Sequence, residues 1–450
     1  MFMKKNDIIK LDIDAMSSQG SGIGRYEGLA VFVPMSAVGD SLRVKILKVK
    51  SNCAFGKIEE ILTPSVTRCE PDCTAFSRCG GCVYRHISYG EELSIKQKAV
   101  EDAIKRIGKA DLDAQPIVSN NKTYGYRNKA QYPISENYSV GFFASHSHRI
   151  VESEDCRLQP TIFADICEIF TMWAKESGNS VYSEETHKGL LRHLYIRKGE
   201  VTGEIMVCLV INGNSINSPE TLVEALKDKL GDCFKTLVLN INKEKTNVIL
   251  SDKCVNIYGD GYIYDILCGV KVRLSPLSFY QVNHDMAELL YKKAAEYAEC
   301  DNKTVLDLYC GAGTIGLSMA QSAKKIIGVE IIRQAIDDAR FNAENNQINN
   351  AEFICGDAKD AAKQLADKNI KPDVIVVDPP RKGCSSELLG TIANDFSPEK
   401  LVYVSCDPAT LARDTNILNS FGYELKEYTP FDLFPRTAHC ETVAKFTRKV

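Results

Sequence analysis

The chain contains no run of about 18 uninterrupted apolar residues, the minimum for a membrane-spanning helix. Its first residues, MFMKKNDIIKLDID, lack the apolar block of a signal peptide. Both absences point to a cytoplasmic protein with no membrane partner. Positive charge is not in excess either, since 55 Lys and Arg stand against 59 Asp and Glu for a net charge of -4. That balance excludes a surface coated in positive charge, while a local basic face stays compatible with it. No internal repeat or low-complexity segment is present. Cysteine is abundant, with 17 in 450 residues. In a short secreted chain this would be a disulfide framework; in a long chain without an export signal it reads as reduced thiols plus a few metal or catalytic positions.

With 44% hydrophobic and 25% charged residues the composition is globular, and the length accommodates two or three domains. Residues 1–61 carry short alternating runs, at Leu11 to Asp14, Ala30 to Val33 and Leu42 to Val49, cut by Gly20, Gly22, Gly24 and Pro34. This is the pattern of a small five-stranded barrel. Arg43, Lys45, Lys48 and Lys50 crowd one of its strands. Through GSGIGRYEGLAVFVP and the GD that follows, the stretch resembles a TRAM domain, an OB-like module, and the resemblance implies RNA binding. A helix is predicted over about 91–107, packing on the C-terminal part. Strand-like runs such as GYRNKAQYPI and EIMVCLVIN then fill residues 124–280 and predict an antiparallel sheet within a central mixed α+β domain, 62–275. From about 281 the runs TVLDLYC, KKIIGVE, AEFICGD, DVIVVDPP and KLVYVSC alternate with helix-length intervals. Strands that are apolar throughout are covered on both faces, so 276–450 reads as a parallel, doubly wound α/β domain.

VLDLYCGAGTIGLSMA is a strand, a Gly-rich turn and a helix in which Gly311, Gly313 and Gly316 fit G-x-G-x-x-G. Small residues there let the backbone approach a ligand at the helix N-terminus, and Glu330, ending the next strand, is placed to accept ribose hydroxyls. NAD-dependent dehydrogenases and S-adenosylmethionine methyltransferases share this signal. The C-terminal position of the loop and VDPPRKG after the fourth strand favour the methyl donor. Asp-Pro-Pro is a rigid turn that holds Asp378 toward a flat base, and it is followed by Arg381 where amino-methylating enzymes carry an aromatic.

Methylation of uracil at C5 requires a thiolate that adds to C6 and makes C5 nucleophilic, and a base that later removes the C5 proton. Cys406 ends the strand LVYVSC, with Asp407 and Pro408 suited to the N-cap and first turn of the helix behind it. A helix N-terminus favours the thiolate and the Asp407 carboxylate opposes it. Glu441 and His439, just before a closing apolar strand, are both candidates for the base.

Taken together, the barrel, the cysteine segment, SFYQVN, LDLYCGAG, VDPPRKG, SCDPATLARD and AHCETV resemble the RNA 5-methyluridine methyltransferase family, bacterial 23S rRNA branch, across nearly the whole chain. The resemblance implies S-adenosylmethionine as methyl donor, Cys406 as nucleophile and Glu441 as proton acceptor. It places Gln281, Tyr309, Gly311, Gly313, Glu330 and Asp378 around the cofactor and uracil. Phe279, Tyr280 and Tyr309 are candidates for stacking on a flipped base. It implies 23S rRNA as partner, because tRNA-specific relatives typically lack the barrel and the cysteine cluster, with tRNA as the alternative, and a monomer. A non-catalytic RNA-binding or ribosome-assembly factor and an NAD-dependent dehydrogenase are the competing classes.

Cys73, Cys79 and Cys82 have C-x5-C-x2-C spacing, with Cys69 four residues earlier. A zinc site from Cys69, Cys73, Cys79 and Cys82 fits the pair spacings. A radical-type cluster does not, and a conventional iron-sulfur cluster needs a fourth, remote thiolate. The family resemblance implies the last, a 4Fe-4S cluster on Cys73, Cys79, Cys82 and Cys156.

Overall fold

In a computed structural model of the chain, residues 3–145, 147–153 and 155–449 are described. The N-terminal strands are β1 (Ile8–Asp12), β2 (Ala15–Met16), β3 (Ser21–Tyr26), β4 (Leu29–Pro34), β5 (Ser41–Val49) and β6 (Cys53–Thr63). They form one curled sheet in the order β1-β5-β6-β4-β3-β2. That is one strand more than the sequence pattern predicts, because a two-residue strand such as β2 is too short to show alternation. Leu11, Val31, Val33, Leu42, Val44 and Ile46 fill its core. The buried Asp40 carboxylate ties this unit to the next segment by accepting the N–H groups of Ala37 and Ser65 and the Arg68 guanidinium.

Helix α1 (Tyr89–Arg106) starts where Ser88 accepts the Glu91 N–H, and it buries Glu92, Lys96, Val100 and Ile104, a stripe at i, i+4 spacing. The central unit contains β7 (Lys129–Pro133), β8 (Gly141–Phe143), β9 (Ile150–Glu152), α2 (Ile162–Glu176), β10 (Leu191–Lys198), β11 (Ile205–Ile211), α3 (Pro219–Leu230), β12 (Phe234–Ile241) and β13 (Cys254–Tyr258). Its main sheet runs β13-β12-β11-β10-β7. The antiparallel expectation fails at one pair: α3 is a crossover, so β11 and β12 lie parallel. β11 is buried along its whole length because the sheet is covered on both faces. Leu194, Ile196 and Leu209 pack toward α2 and α3. Tyr195, Met206, Cys208 and Val238 pack into the core of the C-terminal unit.

The hairpin β14 (Ile263–Leu267) and β15 (Val270–Leu274) and helix α4 (His284–Ala298) share that second core. There follow β16 (Thr304–Leu308), α5 (Thr314–Met319), β17 (Lys325–Glu330), α6 (Arg333–Asn345), β18 (Ala351–Cys355), α7 (Ala358–Asp367), β19 (Val374–Val377), α8 (Ser386–Gly390), β20 (Lys400–Ser405), α9 (Pro408–Ser420), β21 (Tyr423–Phe431) and β22 (Glu441–Arg448). The sheet order is β18-β17-β16-β19-β20-β22-β21, parallel except for β22, which is antiparallel to both its neighbours. α1 packs on α9, with Val100 and Ile104 in the same cluster as Leu411 and Ala412. No helix among the described residues is long and apolar enough to cross a membrane.

A buried ionic network joins α1 to the loop after β21. Lys96 Nζ donates to Glu92 Oε1 (2.7 Å), Asp432 Oδ1 (2.6 Å) and the Phe434 carbonyl (3.2 Å). Tyr89 donates to Asp432 Oδ2, and the Arg436 N–H to Glu92 Oε1, each at 2.7 Å. Removing one member leaves the others as uncompensated buried charges. Asp432→Ala is therefore expected to cost about 3–5 kcal/mol in chemical denaturation.

Candidate active site

One edge of the seven-stranded sheet collects the candidate residues, as ligand sites in open α/β sheets do. Tyr309, Gly311 and Gly313 follow β16, Glu330 ends β17, Asp378 follows β19 and Cys406 follows β20. Glu441 reaches the same edge from the opposite direction. β20 and β22 align Ser405 with Thr442 in antiparallel register, so the next pair outward is Cys406 and Glu441. Behind the thiol, Asp407 caps α9 by accepting the Thr410 N–H (2.9 Å), and Pro408 opens the helix.

The electrostatics settle a balance at the thiol that the sequence left open. Burial, reinforced by the Glu441 and Asp378 carboxyls, pushes Cys406 up to about 11, and Arg381 opposes the rise. The favourable helix N-terminus is outweighed by burial and by two acidic neighbours, Asp378 just after β19 and Glu441 at the start of β22. Burial and then Asp378 push Glu441 up to about 8, again against Arg381. Burial alone brings Asp378 to about 7. Burial and the nearby Arg381 push His439 below its usual range, and its Nε2 lies 3.5 Å from the Arg381 guanidinium. Of the two base candidates, Glu441 is the one that acts electrostatically on Cys406.

The glycine turn divides its labour. A Cβ on Gly313 would meet Phe353 at 2.9 Å and one on Gly316 would meet Asp307 Oδ2 at 2.9 Å, so these two serve close packing. Gly311 faces open space at φ 55°, which leaves its backbone free to meet a ligand. Tyr309 holds φ 66° without being glycine, a conformation typical of functional turns. Glu330 orders this rim by accepting the N–H groups of Gly311 (3.2 Å) and Ile332 (2.9 Å). Ile331 and Ile332 beside it are 62% and 60% exposed, an apolar shelf on the surface. Asp307 was missed by sequence reasoning. It is fully buried, accepts the Gly316 N–H through Oδ2 (2.9 Å), and its Oδ1 has no partner among the described residues. Its one sequence signal is an acid inside an apolar strand. These features fit a nucleoside-bearing cofactor: a carboxylate at ribose position, a bare backbone turn and an apolar surface for a base.

Gln281 is buried, and its carbonyl accepts Asn128 Nδ2 (3.0 Å). Of the three stacking candidates, Phe279 is 65% exposed, Tyr309 is half-buried against the α8–α9 core, and Tyr280 is buried with its hydroxyl donating to Asp265 (2.9 Å). Tyr280 is therefore a core residue.

Cys73, Cys79, Cys82 and Cys156 line one cavity together with Arg85, Phe76, Phe142 and Leu158. Burial raises the Cys156 thiol to about 11, with Cys82 and Cys79 adding to the rise. Arg85 Nε donates to Cys82 Sγ (3.4 Å), and its second terminal nitrogen is buried without a partner. Cys69 lies outside, exposed, with its thiol donating to the Arg85 carbonyl (3.6 Å). Among the described residues no three Cys, His, Asp or Glu side chains stand in metal-holding geometry; the four thiols face a common space instead of closing on a point. An all-sulfur donor set beside a guanidinium fits a thiophilic metal group of net negative charge. The zinc set that includes Cys69 does not share this cavity.

An α/β domain with a glycine turn and a thiol–carboxyl pair at its ligand edge, with an appended β unit, is a fold and site suited to a nucleoside-bearing cofactor, and comparisons specify the class. The family tRNA (Uracil-5-)-methyltransferase matches residues 89–449 and the TRAM domain matches 4–58. An uncharacterized RNA methyltransferase of Clostridium tetani is 40% identical over 99% of this chain and 97% of its own, and one of Halalkalibacterium halodurans is 41% identical over 98% and 97%. The solved structure of Pyrococcus abyssi tRNA (uracil-54, C5)-methyltransferase in complex with S-adenosyl-L-homocysteine aligns at TM-score 0.80 and 27% identity, covering 97% of this chain and 99% of that one. The chain belongs to the tRNA (uracil-5-)-methyltransferase family, S-adenosylmethionine-dependent RNA methyltransferases, and carries a TRAM domain.

The Cys406 environment sets a measurable titration. Peptide-resolved iodoacetamide alkylation of Cys406 is expected to accelerate with pH up to a midpoint near 11. Glu441→Gln removes a negative neighbour and is expected to move that midpoint downward.

Proposed function

We propose that this protein methylates C5 of a uridine in 23S rRNA, with Cys406 as nucleophile and Glu441 as the base. The observation that carries this reading is the β20–β22 register, which sets one thiol and one carboxyl side by side at the ligand edge of the sheet. Cys406 Sγ adds to C6 of the uracil, and C5 becomes an enolate carbon. Bound S-adenosylmethionine supplies an electrophilic methyl group at that carbon. Glu441 then accepts the C5 proton, the C5=C6 double bond re-forms, and the C6–Sγ bond breaks with its electron pair leaving on Cys406 as the thiolate. Gln281, Tyr309, Gly311, Gly313, Glu330 and Asp378 are the residues assigned to cofactor and uracil, and Phe279 is the aromatic left free to stack on a base.

The rRNA assignment rests on family resemblance. A second reading, tRNA, is favoured by the Pyrococcus abyssi enzyme, a tRNA methyltransferase whose alignment covers 97% of this chain. An N-terminal β unit therefore does not mark an rRNA enzyme. We also assign a 4Fe-4S cluster to Cys73, Cys79, Cys82 and Cys156, with a structural role of holding β8, β9 and the 73–82 loop together. Anaerobically purified protein is expected to show broad iron-sulfide absorption; one bound zinc without it would overturn the cluster.

Labelled S-adenosylmethionine with undermethylated total RNA is expected to yield 5-methyluridine, and fragment mapping separates 23S rRNA from tRNA. Absence of label in both RNAs, from protein that binds the donor, would support a non-catalytic assembly factor. Cys406→Ala is expected to abolish turnover while leaving donor binding nearly intact. Because Glu441 is raised, its carboxylate appears only as pH climbs toward about 8, so turnover is expected to rise from pH 7 through that value. Glu441→Gln is expected to remove this rise and to accumulate a denaturation-resistant protein–RNA adduct.

A further inference from the structure

We propose that Lys129 is a contact for an RNA phosphodiester at the rim of the uridine pocket, a site that deepens and rests on the reading of the substrate as RNA. Lys129 is the first residue of β7, and its directly opposed partner on β10 is Arg197. Arg197 is held in place, donating to the Ser275 and Ser278 carbonyls at 2.8 Å each. Arg127, two residues before Lys129, is near enough to act on the Lys129 ammonium together with Arg197, and among the described residues its Nε is buried without a partner. Three cations are thus gathered together, and directly opposed like charges destabilise a sheet.

Among the described residues no carboxylate forms an ion pair with any of them. Glu200 is engaged by Lys122 and Lys198, and Asp285 by Lys122. Among the described residues Lys129 has neither an ion pair nor a side-chain hydrogen bond, and burial together with Arg197 and Arg127 holds its ammonium down to about 8. An ammonium in that setting is complete only with an anion from outside the chain.

The position says which anion. Arg127 pairs with Asn283 in an antiparallel bridge, and the Asn128 N–H donates to the Val282 carbonyl. Asn128, next to Lys129, also donates from its side-chain Nδ2 to the Gln281 carbonyl (3.0 Å), which sets Lys129 beside the Gln281 segment, and the exposed Phe279 lies two residues from Gln281. RNA offers a base and a phosphate at the spacing of one nucleotide, so a stacked base at Phe279 or a uracil at Gln281 brings a phosphodiester to Lys129. Arg127 also borders the four-thiol cavity, which leaves Lys129 as the cation free for RNA.

The complete protein is compared with Lys129→Met and Lys129→Arg for binding a fluorescein-labelled single-stranded oligouridylate over a range of KCl concentrations. Loss of one phosphate contact is expected to weaken binding and to reduce the slope of log K against log salt by about 0.7, with Lys129→Arg keeping the wild-type slope. Unliganded Lys129→Met is expected to melt at or above the wild-type temperature, since a like-charge contact is relieved. S-adenosylhomocysteine affinity is expected to stay unchanged. An unaltered salt slope would overturn the proposal, as would lost S-adenosylhomocysteine affinity, which would assign Lys129 to the cofactor carboxylate. The slope is read without turnover. If it falls while no RNA gains 5-methyluridine, the phosphate contact stands and the uridine chemistry fails; if methylation occurs with an unaltered slope, the reverse holds.

Discussion

The antiparallel pairing of β22 with β20 is the constraint on which the candidate site depends. Four parallel strands, β16, β17, β19 and β20, bring Tyr309, Glu330, Asp378 and Cys406 to one edge, but parallel strands deliver only their C-terminal ends there. An antiparallel neighbour delivers its N-terminal end to the same edge, and Glu441 is the first residue of β22. A slip of one residue would turn Glu441 to the other face of the sheet and leave Cys406 without an acidic neighbour on that side. The pairing is anchored by buried side chains on both strands, Leu401, Tyr403, Val443 and Phe446 among them.

Glu441 also depends on a loop that the catalytic unit does not hold alone. The segment from Asp432 to Arg436 is gripped by α1 through Lys96 and Glu92. It is gripped by the central unit through Tyr126, whose hydroxyl donates to the Pro435 carbonyl (2.9 Å), and by the head of α4 through Asn283, which donates to the Leu433 carbonyl (3.0 Å). The Arg436 carbonyl accepts the N–H groups of Val83 and Tyr84, next to Cys82. The segment beside the four-thiol cavity and the loop leading to Glu441 are thus joined by backbone hydrogen bonds.

The acidity of the site follows from its burial. Cys406, Glu441 and Asp378 are all moved upward because each charged form is poorly solvated; Asp378 adds to the rise at Glu441, and both carboxyls add to the rise at Cys406. Arg381 is the countercharge, acting on both Cys406 and Glu441 from an exposed position. A substrate that covers Arg381 would change these two together.

Local pattern in the sequence was enough for much of this protein. The apolar strands of the C-terminal unit predict a parallel sheet because both faces must be covered, and the Asp407-Pro408 pair predicts a helix starting behind Cys406 because capping chemistry is local. The glycine turn and the acid after the next strand predict a nucleotide-like ligand for the same reason. Other features escaped: the parallel β11–β12 pair, because a crossover is a matter of connection and not of strand composition, and the two-residue β2, which is too short for periodicity. Asp307, Lys96 and Lys129 read in the sequence as ordinary charged residues. Only the tertiary structure made one a support of the glycine turn, one a buried link between units and one an ammonium without a counterion, because burial and distant partners are set by packing between segments far apart in the chain. The raised thiol of Cys406 was decided the same way, by Glu441 and Asp378, which lie 35 and 28 residues away in sequence and reach the thiol only through the sheet.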